Sequence, residues 1–252
     1  MISFEFPITE RTRTLLRLEQ LSQRLEYFSS REHPCDHHAA LQALFEILET
    51  ASRAELKSDL LQELERQKQI LDALRDNPAI DTDTLDSVLQ DIERTSGRLL
   101  ELTSKFGQHL RENDWLMAIK QRMAIPGGTC QFDLPSYYLW QLKDAASRQA
   151  DLRRWTQPLM PTVEATMILL RLLRDSGKTH NYVARAGSFQ QMSGGKVVQL
   201  IRVSYPEGLD VLPELSANKY ALNVRFVNAS TGEARAKQTT QDVEFALTYC
   251  KF

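Results

Sequence analysis

At about residue 178 the spacing of apolar side chains in this chain changes from three-and-four to two, and no single kind of regular element satisfies both periods. Before that point Leu15, Leu18, Leu21, Leu25 and Phe28 mark the stripe of one amphipathic helix. Leu41, Leu44, Phe45 and Leu48 mark a second, with Asp36 placed to cap its start. Leu56, Leu60, Leu64, Leu71 and Leu74 carry the pattern on, "NPAIDTDT" interrupts it, and Leu85, Val88, Leu89, Ile92 and Leu99 resume it. Two long helices joined by a Pro/Asp turn predict an αα-hairpin. Further helices are predicted over 112–124, 135–150 and 162–176, the last stopped by Gly177 at its C′ position.

Beyond that point, in "KYALNVRFVN", Tyr220, Leu222, Val224 and Phe226 alternate with Lys219, Ala221, Asn223 and Arg225, the pattern of a half-buried strand with a partly basic outer face. "KVVQLIRVSY" and "VEFALTYCKF" are β-branched and aromatic in the same way. "SGGK" and "STGE" offer turns for antiparallel connections. The amino terminus also alternates, with Ile2, Phe4, Phe6 and Ile8 on one face. A lone strand is not stable, so this one is expected to join the C-terminal strands, with Pro7 favouring an edge. The predicted class is α+β: a mainly helical domain over 10–177 and a smaller antiparallel β-domain made from 1–9 and 178–252.

Charge and cysteine content narrow the function. The 31 basic and 33 acidic side chains leave a net charge of −2, which disfavours a dedicated nucleic-acid binder. The balance is uneven: residues 178–252 carry a surplus of three positive charges on an otherwise acidic chain, which points to a partner bearing carboxylates. No apolar run approaches the length of a membrane span, and "MISFEFPITER" has no secretory pattern. With three widely spaced cysteines, Cys35, Cys130 and Cys250, a disulfide framework is not expected and a reducing cytoplasm is.

Three motifs bear on chemistry. "DSGKTH" holds the tail of a phosphate-binding loop, but Leu172 stands where the motif needs glycine, and a helix precedes it where a strand should. "REHPCDHH" gathers His33, Cys35, His37 and His38, yet tetrahedral metal sites draw ligands from separate segments and no second such cluster exists. "IPGGTCQFDLPSYYLW" permits a sharp reversal before Pro135, which suits the first turn of a helix. A nucleophilic Cys130 would need a base, and no histidine lies near it in sequence. A thiol- or metal-dependent enzyme on Cys130 or the His33–His38 cluster is the alternative; a helix start and a corner are the preferred readings, with no cofactor or metal.

Taken with its surroundings, the last segment resembles the Z-ring-associated protein D family of bacterial cell-division factors. The likeness runs through "FEFPITERTRTLLRLEQL", "ELKSDLLQELERQ", "GQHLRENDWLMAIKQRMAIPGGTCQFDLP" and "SANKYALNVRFV", and ends in a short strand carrying a cysteine. The resemblance implies a cytoplasmic, non-enzymatic homodimer of helical and β-domains, recruited to mid-cell. There it would bind the C-terminal tail of the tubulin-like GTPase FtsZ and bundle its filaments. It places tail binding on Arg17, Arg53 and Arg225, whereas Ala221 stands where the family's site takes an arginine. Spacing and charge add Lys57, four residues from Arg53, together with Arg122 and Lys219.

Overall fold

Where the apolar residues step in threes and fours the chain is helical, and where they alternate it is extended. The computed structural model describes residues 1–52, 55–78, 80–192, 198–218, 220–229 and 237–252. They divide into two units: residues 14–170, and residues 1–13 with 171–252. The α+β expectation holds.

In order along the chain the helices are α1 (Glu10–Ser29), α2 (Pro34–Thr50), α3 (Leu56–Asp72), α4 (Thr82–Glu101), the single turn α5 (Gln108–Arg111), α6 (Asp114–Met123), α7 (Pro135–Gln141), α8 (Ala145–Thr156) and α9 (Met160–Asp175). Their starts are set by short polar side chains that accept otherwise orphaned amides. Asp81 accepts from the Thr84 amide at 3.1 Å, Asn113 from Leu116 at 3.1 Å and Asp144 from Ser147 at 2.8 Å. The last of these corrects the helix predicted over 135–150: the Asp144 cap starts a new helix, so the segment is two helices. The cap predicted at Asp36 is also corrected. Pro34 occupies the first helical position, and His33 before it caps α2 by accepting from the Cys35 amide at 3.1 Å.

Helix α2 is deeply buried, with Leu41, Leu44, Ile47 and Leu48 no more than 1% exposed, and it packs against α6 and α8. The predicted αα-hairpin is α3 against α4, buried through Leu60, Leu64, Leu89, Ile92 and Leu99. Ion pairs Lys68–Glu93 at 2.7 Å and Arg75–Asp86 at 2.5 Å lie along its exposed side and run antiparallel. Exposed pairs of this kind add little, because water screens both charges, so the leucine seam holds the two helices together.

The second unit contains β1 (Ile2–Pro7), β2 (Lys178–Ala184), β3 (Ser188–Met192), β4 (Leu200–Tyr205), β5 (Val211–Ala217), β6 (Ala221–Asn228) and β7 (Val243–Cys250). They form two antiparallel sheets, β1-β4-β7-β2 and β3-β6-β5. The amino-terminal strand does join the C-terminal ones, with Ile2 opposite Tyr205 and Pro7 opposite Leu200 at the sheet edge. The two sheets share one core, in which Tyr205 and Phe245 pack edge-on against Phe226 with ring centres 5.7 and 5.3 Å away.

Two expectations are corrected here. "SGGK" and "STGE" lie outside the described residues; beyond "STGE" the chain does return antiparallel, with Gln238 bridging Val227. A hairpin joins β5 and β6, where Asn218 Oδ1 accepts the amides of Tyr220 and Ala221. Tyr220 therefore lies in the turn, 64% exposed, and off the buried face. Gly177 is not in the left-handed region that a C′ glycine uses. It is glycine for room: a Cβ there would sit 2.6 Å from Thr248 Cγ2 and 2.9 Å from the Arg174 carbonyl.

Candidate functional site

The helical unit carries two clefts lined by basic side chains. The larger, about 600 Å³, opens between α1, α2 and α6. Arg17 and Arg24 reach it from α1, two turns apart on one face. Lys120 enters from α6 and Glu46 and Glu49 from α2, and Leu21, Phe45 and Met123 supply apolar wall. Two of the three cations are already matched. Lys120 donates to Glu49, holding that carboxyl below the usual carboxylate range, with Arg111 adding a weaker pull. Arg24 stands 3.7 Å from Glu46. Arg17 is exposed and has no ion-pair partner among the described residues. The cleft thus offers one uncommitted guanidinium beside an apolar wall, the means to hold a carboxylate and a neighbouring apolar side chain.

The smaller cleft, about 400 Å³, lies between the start of α3, residues 102–107 and α5. Lys57, Lys105 and Arg111 line it, and among the described residues no Asp or Glu does. The Lys57 ammonium donates to the Leu102 carbonyl at 2.5 Å, and Arg111 Nη2 donates to the Leu48 carbonyl at 3.3 Å.

The residues predicted from sequence are therefore spread over several settings. Arg17 lines the larger cleft and Lys57 the smaller. Arg122, on α6, lies 3.7 Å from Asp133 and lines neither. Arg225, on β6 in the other unit, donates through Nε at 3.0 Å and Nη2 at 2.5 Å to Glu214, its cross-strand neighbour on β5. Ala221 is half-buried opposite Met192 and adds no charge. Arg53 and Lys219 lie outside the described residues. Sequence reasoning missed Arg24, Lys105, Arg111 and Lys120. The seven-residue step from Arg17 to Arg24 was a usable signal; the others are gathered by tertiary packing.

The cysteine and histidine cluster has other work. Cys130 is exposed on a run of backbone turns, its amide bonded to the Gly127 carbonyl at 3.2 Å. His37 is fully buried, with Nε2 donating to the Arg31 carbonyl at 2.7 Å and Nδ1 accepting from Arg148 Nε at 2.8 Å. A carbonyl can only accept and a guanidinium can only donate, so the ring is neutral with its proton on Nε2. His38 Nδ1 is 2.8 Å from the Tyr137 hydroxyl. Among the described residues no group of three or more His, Cys, Asp or Glu is placed to hold a metal.

These histidines make the helical unit acid-sensitive. Burial, above all, depresses both His37 and His38 below the usual imidazole value, and the Arg148 charge adds to it at His37. Below about pH 6.5 the unfolded chain binds protons that the folded rings refuse, so their contribution is complete above that pH and drains away as pH falls through the folded values. All three tryptophans, Trp115, Trp140 and Trp155, lie in this unit and their rings cluster, with His37 beside Trp140 at 6.3 Å. The urea midpoint read by tryptophan fluorescence is expected to fall between about pH 7 and about pH 5. A midpoint flat across that window would contradict the assignment.

Among known proteins, the family model described as ZapD, cell division protein, matches residues 16–225. The cell division protein ZapD of Chromobacterium violaceum is 72% identical over 252 residues, with all of both chains covered. That of Ralstonia pickettii is 52% identical over 253 residues, again with full coverage. That of an Azoarcus species is 52% identical over 250 residues, 99% of each chain.

Proposed function

Because the chain belongs to the ZapD family of cell division proteins, we propose that it binds the C-terminal tail of FtsZ and, as a homodimer, crosslinks FtsZ filaments into bundles at the division site. The observation that carries this reading is the uncommitted Arg17 guanidinium in the α1–α2–α6 cleft, beside Leu21, Phe45 and Met123. A flexible tail offers carboxylates and scattered apolar side chains, the complement of that wall. Arg225, Arg122, Arg53 and Lys219, with Lys57 at the smaller cleft, extend the attraction as steering charges. A single contact is weak because the tail must be ordered as it binds. Two identical sites on a two-fold dimer turn weak contacts into a crosslink by raising the effective concentration of the second tail. The chemistry makes and breaks no covalent bond, so the protein acts as a scaffold without a cofactor.

The test is cosedimentation of the purified protein with FtsZ filaments and with filaments lacking the tail. Bundles are expected only with the tail present. Arg17→Glu should weaken tail binding about tenfold or more, the scale of one lost charge-assisted hydrogen bond. Arg225→Glu is the poorer probe, because it sets two carboxylates opposite each other across β5 and β6; Arg225→Gln avoids that repulsion. Bundling of tail-less filaments, unchanged binding in Arg17→Glu/Arg225→Gln, or a strictly monomeric protein in sedimentation velocity would overturn the proposal.

A further inference from the structure

We propose that the cleft between the start of α3, residues 102–107 and α5 is a binding site for a small phosphate-bearing anion, separate from the tail-binding surface. In the α1–α2–α6 cleft Glu46 and Glu49 answer two of the cations; here Lys57, Lys105 and Arg111 converge with no carboxylate in the lining among the described residues. Glu49, whose carboxyl feels the Arg111 charge, is bonded to Lys120. Arg111 Nη1 is buried and has no acceptor among the described residues, so the cleft wall holds a guanidinium only partly satisfied by the Leu48 carbonyl.

The start of α3 lines the cleft from a second direction, through Leu56, Lys57 and Ser58, its first three residues. The hydroxyls of Ser58, Thr103 and Ser104 complete the lining on the polar side.

The donors come from three directions, namely the first turn of α3, the 102–107 segment and α5. A planar carboxylate presents two oxygens in one plane, whereas the terminal oxygens of a phosphate monoester spread tetrahedrally and meet donors from several sides. The charge of such a dianion also supplies what the lining lacks. At about 400 Å³ the cleft has room for more than the phosphate group alone.

The test uses the full-length protein with inorganic phosphate and, separately, adenosine monophosphate, each against chloride at matched ionic strength. Phosphorus NMR line widths and the thermal midpoint are read together. Either ligand is expected to broaden its line and raise the midpoint above the chloride control. Tighter binding of the nucleotide would assign the cleft to a larger phosphate monoester; equal binding would assign it to the phosphate group alone. Lys57→Gln/Lys105→Gln should weaken binding about tenfold or more, and Lys105→Gln alone, at an exposed position, should weaken it without disturbing packing. Arg17→Glu, in the other cleft, should leave it unchanged. No shift beyond chloride with either ligand, or equal binding in the double variant, would overturn the proposal.

Discussion

Replacing Arg148 with methionine is expected to destabilise the helical unit by about 3–5 kcal/mol, the cost of removing a buried, fully bonded charge and leaving its partners unpaired. Arg148 is 4% exposed and no carboxylate pairs with it among the described residues. Its Nε donates to His37 Nδ1 at 2.8 Å, Nη1 to the Gln141 carbonyl at 2.9 Å and to the Lys143 carbonyl, and Nη2 to the Glu32 carbonyl at 2.5 Å. One side chain thus ties the turn before α2, the α2 helix itself and the break between α7 and α8. Methionine keeps much of the aliphatic volume, so the loss is chiefly of hydrogen bonds. An ammonium cannot span all these directions at once, and Arg148→Lys should fall between the two. Urea unfolding followed by tryptophan fluorescence reads this unit; the midpoint should drop while the slope stays the same. A loss under about 1 kcal/mol would mean that water replaces the guanidinium, and that Arg148 does not organise this region.

Changing Glu5 to glutamine is expected to cost the other unit about 2–4 kcal/mol. Glu5 sits on β1 opposite Arg202 of β4, and its carboxylate also receives the fork of Arg174 from the last turn of α9. The Arg174 bonds are 2.9 and 2.8 Å, and Arg202 Nη2 adds one at 3.1 Å. Side-chain exposure is 22% for Glu5, 26% for Arg174 and 29% for Arg202, so the triad is shielded enough for its geometry to count. Burial by itself would raise the Glu5 pKa; the two guanidiniums more than offset it, and the net shift is downward. The stabilisation is therefore present above the ordinary carboxylate pKa and lost as pH falls through the folded value. Glutamine leaves two guanidiniums facing each other without their counter-charge. Arg202→Met, which spares the two-pronged Arg174 contact, should cost only about 1 kcal/mol. Scanning calorimetry at about pH 7 separates these outcomes, and equal losses in the two variants would show that the triad does not act as described.

The two effects share a cause. In each, a single side chain meets partners far along the chain: Glu32 and His37 for Arg148, Arg174 and Arg202 for Glu5. Neither appears in any local pattern. Arg148 reads in sequence as one more exposed charge on a polar helix, and Glu5 as the outward residue of an alternating strand. The histidine cluster misleads in the opposite way. "CDHH" looks like chemistry, but the fold spends the ring nitrogens of His37 and His38 on Arg31, Arg148 and Tyr137.

The amino-acid order by itself determined the α+β class, the change from helix to strand near residue 178, the α3–α4 hairpin and the pairing of the amino-terminal strand at a sheet edge. Each follows from contacts between residues two to four apart, or from the need of a half-buried strand for a neighbour. Only tertiary structure decided that β2–β7 and β1 divide into two sheets, that Arg17 is left without an ion-pair partner among the described residues while Lys120 is cancelled by Glu49, and that Lys57 stands with Lys105 and Arg111. Periodicity is a local property because a repeating backbone turns a fixed amount per residue. Whether a charge is cancelled or left exposed depends on which distant segment packs beside it, and no spacing along the chain encodes that.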